Sequence, residues 1–277
     1  SNVLTEGVGR GISITLTFTP VLTAMFLCLG ILESTGYMTR AAFIVDRLMN
    51  YLGLSGKSFV PMIVGFGCNV PAVMGARTLS SPGERILTIL MTPFMSCSAR
   101  LAIYAIFVAA FFPLGGQNVI FSLYLVGIVV AVLTGIALRG AIAPQTSSLS
   151  LMEMPDYRWP MLSALLRQVW YRLKSFLLKA GIFIIALSVT INGVGNEVLA
   201  NLGKFLTPAF APMGIGLENW PATVSLLTGL IAKEAVVGTL NAFYTSEEAM
   251  INGFGGPIPA YAYLLFTLLY FPCVSVV

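Results

Sequence analysis

Residues 59–75 read F-V-P-M-I-V-G-F-G-C-N-V-P-A-V-M-G and decide how the rest of the chain is interpreted. The stretch is apolar enough to enter a bilayer, yet its 17 residues include three glycines and two prolines. Lipid cannot hydrogen-bond a broken backbone, so such a segment is tolerated at membrane depth only inside protein or beside a wet cavity. The pattern predicts a re-entrant hairpin that leaves Cys68 and Asn69 beside the break. A packing segment rich in glycine and proline is the alternative.

The composition of the whole chain predicts a polytopic membrane protein. Of the 277 residues, 57% are hydrophobic and only 9% are charged, which excludes a water-soluble domain. The chain has a net charge of +4 and no basic tract. The positive charge therefore indicates a cytoplasmic membrane face, and no nucleic-acid partner is expected. No signal peptide is visible, and the chain ends within an apolar run. We therefore expect both ends to be cuts through a larger protein.

Four cysteines and the absence of histidine limit the chemistry. Cys28, Cys68, Cys97 and Cys273 all lie in apolar segments, which argues against a disulfide framework and for buried thiols or soft metal ligands. Without histidine, a zinc enzyme of the usual kinds is not expected. Cys28 lies on an unbroken helix and is interpreted as a packing residue.

Apolar runs and charges predict the course of the first half of the chain. Residues 12–32 form a spanning helix, and residues 33–58 form an amphipathic helix in the membrane interface. Residues 86–112 form an apolar segment that is broken around T-P-F-M-S-C-S-A-R at 92–100, where Pro93 frees a carbonyl. Two cysteine-bearing breaks therefore lie within about 30 residues of each other.

The second half of the chain contains the cationic loop that fixes the predicted orientation. Residues 119–138 form a clean span, and residues 139–179 carry six Lys or Arg against two acidic residues, so this loop is cytoplasmic by the positive-inside rule. Within the loop, residues 159–176 are predicted to lie in the interface. Residues 180–194 then cross outward, and the turn at 77–85 is also placed inside.

The sequence G-L-S-G-K-S at 53–58 invites comparison with a phosphate-binding loop. The pattern G-x-x-x-x-G-K-[ST] needs glycine at position 51, where this chain has Tyr51. No strand precedes the segment, and a broken apolar stretch follows it. We reject nucleotide binding at this position.

The two halves of the chain resemble each other. Residues 59–75 end in A-V-M-G and lead to a P-x-x-S sequence, while residues 221–238 end in A-V-V-G and lead to another. The predicted opposite directions of 12–32 and 180–194 fit an inverted repeat. The predicted fold is an all-α polytopic membrane protein with an inverted repeat of two units that contain re-entrant or broken helices. The chain is predicted to divide into three parts. Residues 1–112 form the first unit, residues 113–179 form a connecting span with its cytoplasmic interfacial helix, and residues 180–277 form a second unit that is truncated at its C-terminus.

Five motifs closely resemble the FeoB ferrous-iron transporters. They are E-S-T-G-Y-M-T-R-A-A-F (33–43), G-K-S-F-V-P-M-I-V-G-F-G-C-N-V-P (56–71), M-S-C-S-A-R-L (95–101), A-K-E-A-V-V-G-T-L (232–240) and F-P-C-V-S (271–275). The resemblance implies a bacterial inner-membrane, multi-pass Fe(II) importer whose repeats are Gate domains. Family members add a cytoplasmic GTPase domain, an inhibitor-like segment and a C-terminal helix, which these residues do not contain. This fragment is therefore expected to be no enzyme, and GTP and Mg belong to the missing domain.

Partners follow from the same resemblance. They are the lipid bilayer, the protein's own GTPase domain, small Feo accessory proteins and further copies of the chain. Three other interpretations stay open. A nucleoside or other solute carrier would use Gate-type repeats without essential thiols, an intramembrane enzyme would depend on Lys233 with a serine, and a membrane scaffold would not transport at all.

The predicted site combines thiols with oxygen donors, a set that suits a borderline divalent ion such as Fe(II). Its predicted ligands are Cys68, Cys97 and Cys273, with Asn69, Ser96 and Ser275 as weaker ligands. Four charges are predicted to have structural or gating roles, namely Arg100, Lys233, Glu234 and Glu33. Arg100 is the expected counter-ion of Glu234, and a purely structural ion pair is the alternative for these two residues.

Overall fold

The structure is a computed structural model that describes residues 2–142, 157, 159–182, 201–208, 210, 216, 219–231, 233–244 and 247–270. These residues form helices and short connections. The helices are α1 (Asn2–Ser34), α2 (Tyr37–Tyr51), α3 (Phe59–Gly67), α4 (Asn69–Ala76), α5 (Pro82–Met91), α6 (Ser98–Phe111), α7 (Gly116–Ile142), α8 (Leu162–Phe176), α9 (Trp220–Ile231), α10 (Lys233–Phe243), α11 (Glu247–Phe254) and α12 (Pro257–Leu269). The predicted all-α fold is confirmed.

The chain bends sharply between its first two helices. The second half of α1, Thr19–Ser34, makes an angle of 75° with α2. Gly36 forms the bend with φ 79°, a left-handed conformation that glycine adopts without strain. In α2, Ala42 and Met49 face the protein while Ile44 and Leu48 are exposed. The amphipathic helix predicted within 33–58 is therefore present, with its exposed apolar side available to lipid.

The turn after α2 packs closely against that helix. Gly56 donates its N–H to Asp46 Oδ1 at 2.7 Å, and a Cβ on Gly56 would lie 2.3 Å from the carbonyl oxygen of Ala42. A 3₁₀ turn at Gly56–Ser58 then leads into α3. Gly56 thus belongs to a close contact with the preceding helix α2.

The broken stretch forms a helical hairpin. Helices α3 and α4 meet at Cys68, whose backbone is extended at φ −155° and ψ 130°. A Cβ on Gly75 would lie 3.7 Å from the ring of Pro61, although a straight helix would separate these residues by about 21 Å. The chain therefore reverses at Cys68, and neither arm is long enough to cross a bilayer.

The second predicted hairpin has the same form. The hydroxyls of Thr228 in α9 and Thr239 in α10 lie 3.3 Å apart, whereas a straight helix would hold them about 16 Å apart. One arm of this hairpin ends at Ile231, and the other begins at Lys233. This hairpin extends to Phe243, five residues beyond the predicted end at 238, because α10 continues past Gly238. The predicted crossing at 180–194 lies largely outside the described residues.

Two segments of the described chain are long and apolar enough to span a membrane. They are Pro82–Phe111, which contains α5 and α6, and Gly116–Ile142, which is α7; the bent pair of α1 and α2 makes a third when counted as one span. The first of these is interrupted by a 3₁₀ turn at Thr92–Phe94 and by extended backbone at Met95 and Cys97. The predicted break near Pro93 is confirmed.

Helix α7 supports this break through a stripe of small residues. Gly127, Ala131 and Gly135 recur at every fourth position and are buried. A Cβ on Gly127 would lie 2.6 Å from the carbonyl oxygen of Phe94. Small residues at this spacing let membrane helices approach closely. Here the stripe brings α7 against the backbone of the break.

An aromatic core joins α6 to the second half of the chain. The rings of Phe107 and Tyr263 stack at 5.0 Å, and Phe254 meets Phe107 edge to face at 5.2 Å. The Tyr263 hydroxyl lies 2.7 Å from that of Ser225 in α9. These contacts hold the broken span of the first half against the second hairpin.

The close approach at Gly127 gives a direct test of this packing. Gly127→Ala should lower the free energy of unfolding by about 1–3 kcal/mol, because the added Cβ meets backbone that cannot rotate away. Gly140→Ala in the same helix is the matched control, since no atom lies within 4 Å of its Cβ position. That control should be neutral or slightly stabilising. Unfolding in mixed detergent micelles measures both, and equal values for the two variants would refute the contact.

Candidate metal-ion path

The two cysteine-bearing breaks meet in space. The hydroxyl of Ser98, the first residue of α6, donates to the carbonyl oxygen of Gly67, the last residue of α3, at 3.2 Å. Gly65 approaches the same region, since its Cβ position lies 3.3 Å from side-chain atoms of both Thr92 and Met95. The structure therefore brings the neighbours of Cys68 and Cys97 into direct contact.

Cys68 and Asn69 occupy the tip of the first hairpin. Cys68 is half-buried and Asn69 is only 5% exposed. The Asn69 Oδ1 atom is buried and has no hydrogen-bond partner among the described residues. A buried amide oxygen without a partner costs free energy, so the tip contains an oxygen donor that is available to a ligand.

Cys97 and Ser96 lie in the extended segment that precedes α6. Cys97 is half-buried and lies within electrostatic range of the hydroxyls of Tyr104 and Tyr124. Ser96 is buried, and its hydroxyl lies 3.4 Å from that of Tyr104. Tyr124 also stacks on Phe66 of α3 at a centroid distance of 6.1 Å. The sequence interpretation missed both tyrosines, because only the packing of α3, α6 and α7 brings them to the break.

Arg100 is fully buried and stabilises the break. Its Nη1 atom donates to the carbonyl oxygens of Pro93 at 2.6 Å and Met95 at 3.2 Å, which are carbonyls that no helix can satisfy here. Its Nε and Nη2 atoms have no partner within the part of the chain that the structure describes. Glu234 lies in α10 and its side chain is outside that part, so the pairing of these two residues stays a prediction.

The other two predicted charges have partners of their own. Lys233 is 3% exposed at the reversal of the second hairpin, donates to Thr267 O at 3.2 Å and lies 4.1 Å from the ring centroid of Tyr270. Glu33 lies at the end of α1 and pairs with Arg172 of α8 at 3.0 Å. This pair is largely exposed and connects α1 to the interfacial helix.

The remaining cysteines have separate positions. Cys273 and Ser275 lie outside the described residues. Cys28 is exposed, because its face of α1 points away from the bundle. Its predicted role as a packing residue is therefore not seen in the described contacts. Across the described ranges, no three side chains of His, Cys, Asp or Glu converge. What the structure shows is contact between the backbones that flank Cys68 and Cys97, with a buried amide oxygen at the tip of the first hairpin.

Comparison with known families identifies the two halves and the region between them. The Gate family model, described as nucleoside recognition, matches residues 15–111 and again 177–277. A second model, the C terminus of ferrous iron transport protein B, matches residues 120–172. The chain therefore contains two Gate segments with a FeoB-type segment between them. No solved structure matches the chain.

Curated relatives align with almost the whole chain. The Fe(2+) transporter FeoB of Legionella pneumophila (strain Paris) is 47% identical over 341 aligned positions, which cover 99% of this chain and 45% of the relative. The FeoB of Salmonella typhimurium is 43% identical and is covered to 44%. The chain thus spans less than half the length of these relatives. With its apolar helices, it is a multi-pass protein of the inner membrane, and it belongs to the Gate family and, within it, to the FeoB proteins, as part of their membrane region.

Proposed function

We propose that this chain conducts Fe(II) as the membrane region of a GTPase-linked importer. The observation that carries the proposal is the contact between the two breaks, where Ser98 bonds to Gly67 and the backbone at Cys68 and Cys97 leaves the helical path. Relatives named Fe(2+) transporter FeoB support ferrous iron as the ion. The ion is the cargo of this path and not a resident cofactor.

The proposed path uses the predicted ligands at the breaks. Cys68, Cys97 and Cys273 supply thiols, and Asn69, Ser96 and Ser275 supply oxygens. An ion that sheds water in the membrane needs replacement donors, and the set must bind weakly enough for the ion to leave. Mixed sulfur and oxygen donors suit Fe(II), while the spread of donors over several helices avoids the closed cage of a structural zinc site.

Arg100 is proposed to limit how tightly the path binds a cation. Its guanidinium is buried three residues after Cys97, and two of its nitrogens are not used by the described residues. A fixed positive charge beside the thiols lowers the affinity for a divalent cation and so assists release. Glu234 and Lys233 at the second hairpin, and Glu33 beside the interfacial helix, are proposed as structural or gating charges.

The division of the chain is proposed as two Gate-type units at 1–112 and 180–277, with 113–179 as the connection. The units enter the membrane from opposite sides, as an inverted repeat requires. GTP, with Mg, is bound and hydrolysed by a cytoplasmic domain outside these residues, so the present region is not an enzyme. Small accessory proteins and further copies of the chain are proposed partners.

A nucleoside carrier is the second candidate, because the Gate family model is described as nucleoside recognition. A nucleoside needs aromatic rings for its base and several polar side chains for its sugar and base edges. At the described breaks, Phe66 and Tyr124 already stack on each other, and Asn69 supplies the unused side-chain oxygen. These features favour a small cation.

The thiol proposal is tested in the full-length transporter. The variant with Cys68→Ser and Cys97→Ser should take up radioactive Fe(II) at least about tenfold more slowly than the parent, because hydroxyls replace the soft ligands. Cys28→Ser is the matched control, since that thiol is exposed on α1, and it should transport like the parent. Immunoblots verify that the variants and the parent are expressed at equal levels. Full uptake by a variant that also carries Cys273→Ser would contradict the proposal.

The role of Arg100 at the break is tested through stability. Arg100→Met should lower the free energy of unfolding by about 1–3 kcal/mol, because two buried carbonyls lose a charged donor. Arg77→Met is the control, since Arg77 is exposed, and its effect should stay within about 0.5 kcal/mol. Unfolding of the full-length protein in mixed micelles gives both values. Similar stability of the two variants would show that the break does not depend on Arg100.

A further inference from the structure

A column of buried polar side chains runs along α5, away from the cysteine-bearing breaks. Glu84, Thr88 and Thr92 lie one helical turn apart on the same face, with exposures of 3%, 0% and 0%. The column extends over about 12 Å, from the start of α5 to the break. Ser96, which is also buried, follows in the break itself. Polar groups in such a sequence are unusual on a helix packed inside an apolar bundle.

Glu84 lies at the far end of this column. Its carboxylate accepts a hydrogen bond from the Ser55 hydroxyl at 3.0 Å. The sequence S-P-G-E at 81–84 fits a capping box, in which Glu84 would bond to the N–H of Ser81, but the bond seen here reaches a residue 29 positions away. Among the described residues, Glu33 forms an ion pair with Arg172, and Glu84 forms no ion pair. Glu84 is thus a buried carboxylate without a cation among these residues.

Two fully buried hydroxyls beside Glu84 also lack partners. Neither Ser58 Oγ nor Thr88 Oγ1 has a hydrogen-bond partner among the described residues. Thr88 lies one turn after Glu84 on the same face of α5. Ser58 ends the 3₁₀ turn that follows Ser55, and this turn packs against α5. The carboxylate and three hydroxyls therefore belong to one cluster of oxygen donors, two of which are unused.

Burial of this cluster is unfavourable unless a cation or further hydrogen bonds complete it. A buried carboxylate costs free energy without a cation or a full set of hydrogen bonds, and each unused buried hydroxyl adds to that cost. No lysine or arginine supplies the charge in the described part of the structure. The donor set is made of hard oxygen atoms, which divalent cations bind well.

We infer that Glu84, Ser55, Ser58 and Thr88 form a second cation site, made of oxygen ligands, that receives the ion after it leaves the thiols. The inference rests on the proposed transport function. Thr92 and Ser96 connect the two sites along the buried face. Because the turn at 77–85 is predicted to be cytoplasmic, Glu84 lies at the exit end of the path. A single carboxylate gives weak binding, which favours release.

The experiment uses Mn(II), which prefers oxygen ligands and reports its binding by electron paramagnetic resonance. The protein is the nucleotide-free full-length transporter in which Cys68, Cys97 and Cys273 are serine, so that the thiol path is removed. Addition of Glu84→Gln should weaken Mn(II) binding at least about tenfold, since ligand charge governs the affinity of such sites. Thr88→Val and Ser58→Ala should each weaken it severalfold.

Two control variants separate a ligand role from a packing role. Asp46→Ala loosens the same turn, because it removes the oxygen that accepts from Gly56 N, but it leaves the four proposed ligands intact. Thr134→Val removes a hydroxyl that bonds to Val130 O in α7, outside the cluster. Both should bind Mn(II) like the parent. If Asp46→Ala weakens binding as much as Glu84→Gln, the carboxylate only anchors the turn and the inference is wrong.

Uptake of radioactive Fe(II) by the transporter with intact cysteines distinguishes the two proposals. Glu84→Gln should reduce uptake severalfold while the protein retains its stability, because the isosteric amide still accepts the Ser55 hydrogen bond. Unchanged uptake and unchanged Mn(II) binding in Glu84→Gln would overturn the exit site and leave the thiol path intact. Binding of Mn(II) that depends on Glu84, in a parent protein that takes up no Fe(II), would support the cation site and refute iron transport.

Discussion

Every break in a membrane helix exposes backbone carbonyls that lipid cannot satisfy, and this constraint governs the structure. The chain meets it with polar side chains from its own helices. Arg100 donates to the carbonyls of Pro93 and Met95, Ser98 donates to that of Gly67, and Lys233 donates to that of Thr267. Arg100 lies within a few residues of the carbonyls it satisfies, whereas Ser98 and Lys233 reach carbonyls of segments more than 30 residues away. The positions of charged and polar side chains inside the bundle therefore follow from the positions of the breaks.

The same requirement explains why the helices approach so closely at the first break. Side chains can reach the freed carbonyls only if the backbones are near, and glycine permits this at Gly65 and Gly127. Tyr104 lies beside Ser96 at this break, and Tyr124 stacks on Phe66 of α3. At the tip of the first hairpin, Asn69 Oδ1 has no partner among the described residues. A passing ion requires an oxygen donor that the fold does not already use, and Asn69 Oδ1 is such a donor. The packing of the helices and the proposed transport therefore depend on the same arrangement of the breaks.

Much of the fold could be predicted because the signals are local. Glycine and proline indicated both hairpins and the break near Pro93, and apolar length indicated α7. Prediction of the site was weaker, since residue types indicate possible ligands but not the side chains that surround them. The stripe of Gly127, Ala131 and Gly135 is visible in the sequence at regular spacing, but its contact with Phe94 is not. The burial of Glu84 is not visible in the sequence, because it depends on residues about 30 positions earlier in the chain.

By itself, the sequence determined that the protein is helical and membrane-embedded, that its helices break at Cys68 and near Pro93, and that it resembles FeoB. These properties follow from composition, from the conformational limits of glycine and proline, and from contiguous motifs, all of which are local in the chain. Only the tertiary structure decided that the break at Cys68 contacts the break at Cys97, that Arg100 bonds to backbone carbonyls, and that Glu84 is buried beside unused hydroxyls. The physical reason is that hydrogen bonding and burial depend on distances between segments far apart in sequence, which are fixed when the helices pack.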